Sequence, residues 1–256
     1  MDSTRTIIEV SAHKAWLIYS RILFDLWRRT GVRSRFLSSK GQDRWVATDV
    51  FPKSHRGYFL EVGAGNGFTG SDTFALELDY GWSGICVEAN PLLYDTMVHV
   101  VRRRSMCVSA CLDETRSTVD FALSGDTSGI IAEDTDNSWS VRGQRLQRLY
   151  ATDRVANLQT RTIADVLETH QAPEVIDYVS LDVEGAEERI VRSFPFSRHR
   201  VLALTVERPT PVIHAILTQE NLIMVRQHLN DGFYLHSTML KARHRSVAPV
   251  FTRKKF

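Results

Sequence analysis

Four glycines fall within the sixteen residues from Tyr58 to Thr73, YFLEVGAGNGFTGSDT, directly after an apolar run and directly before a helical pattern. A chain that must bury a core places its most flexible residues there when the backbone has to turn through positive φ, or when something approaches where a Cβ would stand. Strand, glycine turn and helix together present backbone N–H groups and a helix N-terminus to a ligand. Gly63, Gly65 and Gly67 fit that arrangement, although the same turn can do no more than tighten a strand-to-helix connection. The alternative readings are separated by what flanks the turn.

Beyond residue 38, short apolar runs alternate with helical patterns, the signature of βαβ units and a parallel sheet. GYFLEV, SGICVEA, SMCVSACL, DYVSLDV and RVLALTVE read as five strands. TFALELDYG, PLLYDTMVHVVRR, TIADVLETH and AEERIVRSF read as helices between them, the second opening on a proline whose missing N–H costs nothing in a first turn. STVDFALS reads as an extra extended piece. The polar stretch Gly125–Asn157, with Trp139 in its middle, is too long for a bare connector and reads as a substrate-facing insertion. NLIMVRQHLNDG is expected to be a helix closed by Gly232, with FYLHSTML and VAPVFTR as a terminal hairpin. Ahead of all this, Ile7, Ile8, Val10, Trp16, Leu17, Leu23, Phe24 and Trp27 recur with a roughly helical period, and the basic RRTGVRSR ends the pattern near Gly31. A helix docked on the domain is the first reading and membrane-surface binding the second. Arg21 and Asp25 interrupt the segment, which is too short to span a bilayer.

Length and 43% hydrophobic residues allow one substantial core. Thirty-two Lys and Arg against thirty Asp and Glu give a net charge of +2, too balanced overall to argue for nucleic acid or an anionic membrane. Cys86, Cys107 and Cys111 make an odd count without CxxC spacing, which suits neither a disulfide framework nor a structural zinc site. With no secretory pattern at the start, a cytoplasmic location is expected.

The flank that sharpens the glycine turn is Glu88, twenty-three residues after Gly65 at the end of the second strand. A carboxylate there can accept hydrogen bonds from both hydroxyls of a ribose lying across the first turn. The turn reads G-A-G-N-G-F-T-G, off the dinucleotide pattern by one place. Ser71 stands where a phosphate loop requires lysine, and the loop holds no basic residue at all. Glu61 on its near side suits a cationic amine. An adenosine cofactor with an amino-acid end and a sulfonium, S-adenosylmethionine, meets all of these conditions. A short dehydrogenase is disfavoured because no tyrosine is followed four residues later by lysine.

The pieces SSKGQDRWV, GYFLEVGAGNGFTGSDTFALE, GWSGICVEANPLLYD, DYVSLDVEGAEERIV, LNDGFYLHSTM and VFTRKK, in order from about Ser38 to Lys255, resemble the FkbM family of class I S-adenosylmethionine-dependent methyltransferases. The resemblance implies an α/β, Rossmann-like fold: a seven-stranded, mostly parallel sheet with a final antiparallel strand and helices on both faces. Residues 38–256 would form the catalytic domain and residues 1–37 a helical appendage or lid. Carried onto this sequence, Glu61, Gly63, Ala64 and Gly65 would hold the methionine end and Glu88 the ribose. The Ala89 and Asn90 backbone would lie beside the adenine, with Ala110 and Cys111 on its far side. Ser71, Asp72 and Thr73 would reach the cofactor carboxylate through N–H groups or hydroxyls. SSKGQD departs from the family, whose members often carry glutamine at the place of Ser39 or Lys40.

Ligands of open α/β sheets gather at strand C-termini, so Asp182 and Glu207, after the fourth and fifth strands, face one crevice. Methyl transfer needs the acceptor aligned and its proton removed, and Asp182, Glu184 and Glu207 are the candidate bases. Asp182 and Glu207 could alternatively coordinate Mg2+. Glu184 also reads as an acid complementing a helix N-terminus. His214, after the fifth strand, is a further candidate base or an ordinary helix residue, and His236 reads as structural. Trp139 could stack on an acceptor or simply pack. The expected activity is methylation of a hydroxyl on a small molecule, a sugar or secondary metabolite. A nitrogen acceptor, or a non-catalytic scaffold of the same fold, stand as alternatives. Nucleic acid and stable membrane insertion are not expected, and an oligomer is left open.

Overall fold

The computed structural model of the chain describes residues 3–30, 36–101 and 103–240. In chain order the strands are β1 (Tyr58–Val62), β2 (Ser83–Glu88), β3 (Met106–Ser109), β4 (Cys111–Leu112), β5 (Thr118–Ala122), β6 (Gly129–Ile130), β7 (Val155–Arg161), β8 (Val175–Leu181), β9 (Arg200–Glu207), β10 (Leu222–His228) and β11 (Asp231–His236). The helices are α1 (Ser3–Thr30), α2 (Gln42–Arg44), α3 (Phe74–Tyr80), α4 (Pro91–Asp95), α5 (Trp139–Ala151), α6 (Ile163–Thr169), α7 (Glu187–Ser193) and α8 (Pro211–Gln219). π-Helical turns continue α2 through Trp45–Val50 and α4 through Thr96–Val101.

Seven strands form the main sheet in the order β10-β11-β9-β8-β1-β2-β3. β1, β2, β3, β8 and β9 pair in parallel, and β11 runs against both β9 and β10. Side chains alternate across the pleat, so β1 sends Leu60 and Val62 to one face and Phe59 and Glu61 to the other. On the first face Leu60, Val62, Ile85, Val87, Val179 and Leu204 pack with residues of α6, α7 and α8. On the second, Phe59, Cys86, Tyr178, Ala203 and Phe233 pack with Trp45, Val46, Leu76 and Met97. Both faces are covered, which is why the central strands read as continuous apolar runs. α1 docks through Leu17, Phe24 and Trp27 against Phe68, Phe74 and Val100, and Trp16 Nε1 donates to Thr96 Oγ1 at 3.0 Å.

Four expectations need correction. NLIMVRQHLNDG forms no helix: it is β10 and the turn into β11. The run Leu222–Val225 is apolar without helical spacing, and left-handed backbone at Asn221 (φ 63°) and Leu229 (φ 53°) punctuates both ends. The preceding helix lies upstream, where Thr210 caps α8 by accepting from Ile213 N–H and Pro211 starts it. The antiparallel strand is therefore β11, the segment FYLHSTML supplies the seventh strand rather than the sixth, and VAPVFTR falls outside the described residues. SMCVSACL divides at Ala110, because β4 leaves the main sheet to pair with β7 in a second, four-stranded sheet of order β4-β7-β5-β6. The stretch Gly125–Asn157, for which the sequence predicts no elements, holds β6, α5 and the start of β7. Of α5 only Leu146 and Leu149 are buried, too sparse a stripe to show among its arginines.

Candidate active site

A cavity of about 330 Å³ opens at the C-terminal ends of β1, β2 and β8. Its floor is the turn after β1. Gly63 sits at φ +84°, and a Cβ there would lie 1.7 Å from the Asp182 carbonyl oxygen, so this turn can pass β8 only as glycine. Asn66 braces the far side of the turn, its Oδ1 accepting from Phe68 N–H at 3.0 Å and Thr69 N–H at 2.8 Å.

Glu88 closes the turn from β2. Its Oε2 accepts from Gly65 N–H at 2.8 Å and its Oε1 from Asn90 N–H at 2.7 Å. Each oxygen keeps a second lone pair, which suits a vicinal pair of ligand hydroxyls. Burial pushes the Glu88 carboxyl up to about 7, partly offset by those N–H groups. Asn90 caps α4 by accepting from Leu92 N–H and donates to Ser128 Oγ at 2.9 Å. Above Glu88 the wall is apolar and flat-sided, formed by Ala89, Leu93, Ala110, Cys111, Phe121 and Ile130. Burial pushes the Cys111 thiol up to about 12, so it behaves there as a small apolar side chain.

Glu61 lies in the cavity wall, but its oxygens are already engaged. They accept from Ser71 Oγ at 2.9 Å, Asp72 N–H at 2.7 Å and Thr73 Oγ1 at 2.6 Å. Arg103 Nη1 lies 3.5 Å away as the counter-charge. The hydroxyls of Ser71 and Thr73 and the Asp72 amide thus organise the loop through Glu61. Asp72 accepts from Ser180 Oγ at 2.5 Å, and burial followed by the Glu61 charge raises its carboxyl well above the ordinary value. The raised proton affinity of Asp72 suits a neighbouring anionic group such as a bound carboxylate.

The third corner is acidic. Asp182 opens onto the cavity and is crowded by protein elsewhere. Loss of water, then the charge and hydrogen bond of Glu207, raise its carboxyl to about 8. Glu207, against the upward push of burial, is held below the ordinary range by Arg208, by its bond from Asp182 and by Lys40. Arg208 Nη2 lies 2.9 Å from Glu207 and 3.8 Å from Glu184, and also pairs with Asp136. Lys40 Nζ lies 2.7 Å from Asp231 and 3.5 Å from Glu207. Glu184 itself has left-handed backbone (φ 57°) in the turn after β8, and buried Glu187 fixes that turn by accepting from Val183 N–H at 2.8 Å.

Oxygens of Asp182, Glu184 and Glu207 come within 4.8 Å of one another. The set suits Mg2+ poorly all the same: one carboxyl favours its proton, and Arg208 and Lys40 already supply positive charge to the others. S-adenosylmethionine fits better. The Gly63 cradle admits close approach, Glu88 offers two acceptor oxygens, and the acidic surroundings favour a cationic sulfur.

His214 does not join this group. It stands exposed on α8, started by Thr210 and Pro211, with its ring 6.1 Å from Tyr234, as an ordinary helix residue. His236 ends β11 and pairs with Thr238. Trp139 stacks on Tyr150 within α5, away from the cavity, while Gly125, Asp126, Ser128 and Ile130 from the same stretch do line it. Arg103, Lys40 and Asp231 escaped the sequence reading, since single charged residues in VVRRRS, SSKGQD and LNDG carry no spacing signal.

The sequence pattern of the FkbM methyltransferase domain matches residues 61–221. Among curated proteins none matches the chain. Solved structures resemble it at low identity. A candidate RNA methyltransferase from Pyrococcus horikoshii is 9% identical over 77% of this chain and 79% of that one, with a TM-score of 0.40. The N-terminal domain of human METTL16 in complex with SAH is 10% identical over 76% and 65%, with a TM-score of 0.41. Precorrin-6y C5,15-methyltransferase from Geobacter metallireducens is 10% identical over 78% and 92%, with a TM-score of 0.36.

Proposed function

The chain belongs to the FkbM methyltransferase family, as an S-adenosylmethionine-dependent enzyme of Rossmann-like fold, and from that premise we propose that it methylates a hydroxyl group of a small molecule. The observation that carries this reading is the Asp182–Glu207 pair at the ends of β8 and β9, two carboxyls whose oxygens come within 4.8 Å of one another, with their proton affinities pushed in opposite directions. When bound, S-adenosylmethionine supplies an electrophilic methyl group on a sulfonium. The rest falls to the chain. Gly63 and Gly65 admit the methionine part, Asp72 and the loop held by Glu61 meet its carboxylate, and Glu88 takes the ribose hydroxyls. Ala89, Ala110, Cys111 and Phe121 enclose the base.

A hydroxyl loses its proton as its oxygen takes the methyl group, and Glu207, whose ionised form Arg208 and Lys40 favour, is the carboxylate we assign to receive it. Asp182, whose single proton lies toward Glu207, lines the cavity beside the acceptor. Asp182, Glu184 and Glu207 stand together at this end, which disfavours a phosphate backbone and favours a small acceptor.

Calorimetric titration with S-adenosylhomocysteine, with and without a chelator, tests the cofactor half. Micromolar affinity indifferent to the chelator is expected. Glu88→Ala should weaken it roughly tenfold to a hundredfold, since a hydrogen bond to a charged acceptor is worth about 1.5–3 kcal/mol. No binding by the folded protein would turn the reading to a scaffold. Methyl transfer from labelled S-adenosylmethionine to panels of small hydroxyl compounds, small amines and RNA tests the acceptor half, and transfer only to amines or RNA overturns it.

A further inference from the structure

α1 is covered on one side only. Leu17, Phe24 and Trp27 face the domain. Ile18, Tyr19, Ile22, Leu23 and Leu26 are 62, 56, 60, 47 and 56% exposed. Spacings of four residues link 18, 22 and 26, and 19 with 23, so these side chains form one outward stripe about three turns long. A helix on a protein surface ordinarily turns its polar face outward. Here the charged positions Lys14, Arg21 and Asp25 fall on a flank between two apolar faces, with Arg21 Nε bonded to Asp25 at 2.9 Å. From Lys14 to Arg35 the sequence holds six basic residues against the single acid Asp25. The near-neutral total of +2 hides this local excess.

We propose that α1 is a docking surface for an anionic lipid bilayer. The helix lies in the plane of the interface with Ile18, Tyr19, Ile22, Leu23 and Leu26 at the boundary between headgroups and acyl chains, and the basic residues of its C-terminal end meet lipid phosphates. Charge complementarity selects this partner. A second copy carries the same excess of positive charge and offers it no partner, whereas an anionic surface accepts both the apolar stripe and the basic residues. Among the described residues no helix is long and apolar enough to cross a membrane, so the contact is peripheral.

Co-sedimentation of the full chain with vesicles tests the proposal, using phosphatidylcholine alone and phosphatidylcholine with about 30% phosphatidylglycerol, at about 0.1 M and about 0.5 M salt. The expected result is binding to the anionic vesicles, at least about tenfold weaker on the neutral ones and reduced by salt. The double variant Ile22→Asp, Leu26→Asp should lose it while keeping the circular dichroism and S-adenosylhomocysteine affinity of the parent. If that variant does not fold, Ile22→Gln with Leu26→Gln serves, because both side chains point away from the core. Absence of binding to anionic vesicles overturns the proposal, as does binding that the variants retain. A dimer in light scattering that the same substitutions dissociate, without vesicle binding, gives the face to a second copy and equally overturns it.

Discussion

Arg103 has a side chain with no exposed surface. It donates to Glu77 Oε2 at 3.1 Å, Thr73 Oγ1 at 2.8 Å, Ser71 Oγ at 3.2 Å and the Gly67 carbonyl at 3.1 Å. One guanidinium therefore ties the glycine turn to α3 while balancing Glu61. Arg103→Met should cost about 3–5 kcal/mol in urea unfolding, the usual effect of stripping a buried carboxylate of its partner. Arg103→Lys should recover only part of that, because an ammonium cannot reach so many acceptors in one plane. A parental unfolding midpoint for Arg103→Met would show that Glu61 and Glu77 are neutralised in another way. Neighbouring arginines made this residue illegible in the sequence, whereas Gly63 and Glu88 stood out by their spacing. Glu61 was legible as an acid beside the turn, and its counter-ion was expected in a ligand when the chain supplies one itself in Arg103.

The segment Ser38–Asp43 works as a strap across the glycine turn. Ser38 bridges Gly70, Ser39 lines the cavity, and Asp43 accepts from Leu37 N–H at 2.6 Å and Ser38 Oγ at 2.5 Å. Its other end is held by β11, where buried Asp231 accepts from Gln42 Nε2 at 2.7 Å and pairs with Lys40. Asp231→Ala should free Lys40 and Gln42, speed amide exchange across residues 38–43 and weaken S-adenosylhomocysteine by about tenfold, while β11 stays paired. Unchanged exchange in that segment would mean that Asp43 alone holds the strap. Elements with a clean period or a strong cap were readable: α6 with its Thr162 and Asp165 capping box is one. β10 was not, because an edge strand exposed along most of its length has neither the continuous burial of β8 nor a two-residue alternation.

For the molecule as a whole, several carboxyls hold their protons more tightly than they do in the unfolded chain. Burial raises Glu88 and Glu187 to about 7, Asp72 well above its ordinary value, and Asp182 to about 8 with the help of Glu207. The native state thus holds protons that the unfolded chain has released above about pH 4.5. The stabilisation is full below the unfolded values and is lost as pH rises through the native ones. Each of the two buried glutamates contributes a slope of at most about 1.4 kcal/mol per pH unit between the two limits. Scanning calorimetry of the ligand-free protein should show the melting temperature falling from about pH 5 to about pH 8. A flat or rising profile would contradict the upward shifts of these groups. Topology at this scale was the most legible part, since alternating apolar runs and helical stretches leave few ways to build a parallel sheet. What crossed between sheets, at Ala110, was hidden because one unbroken apolar run serves both.

The stretch from Cys111 to Glu174 never enters the seven-stranded sheet; it pairs within its own sheet and still sends Phe121, Asp126, Ser128 and Ile130 to the cavity wall. In evolutionary terms this separates inheritance into two parts. The strands that carry Gly63 and Glu88 constrain one another through their register, while the part of the excursion between Asp113 and Arg161, unlike α6, whose Ile163, Val166 and Leu167 pack under the sheet, can lengthen, shorten or change its side chains without shifting any of them. Descendants of one ancestor could then diverge in what they admit to the cavity by rewriting a single contiguous piece of the gene.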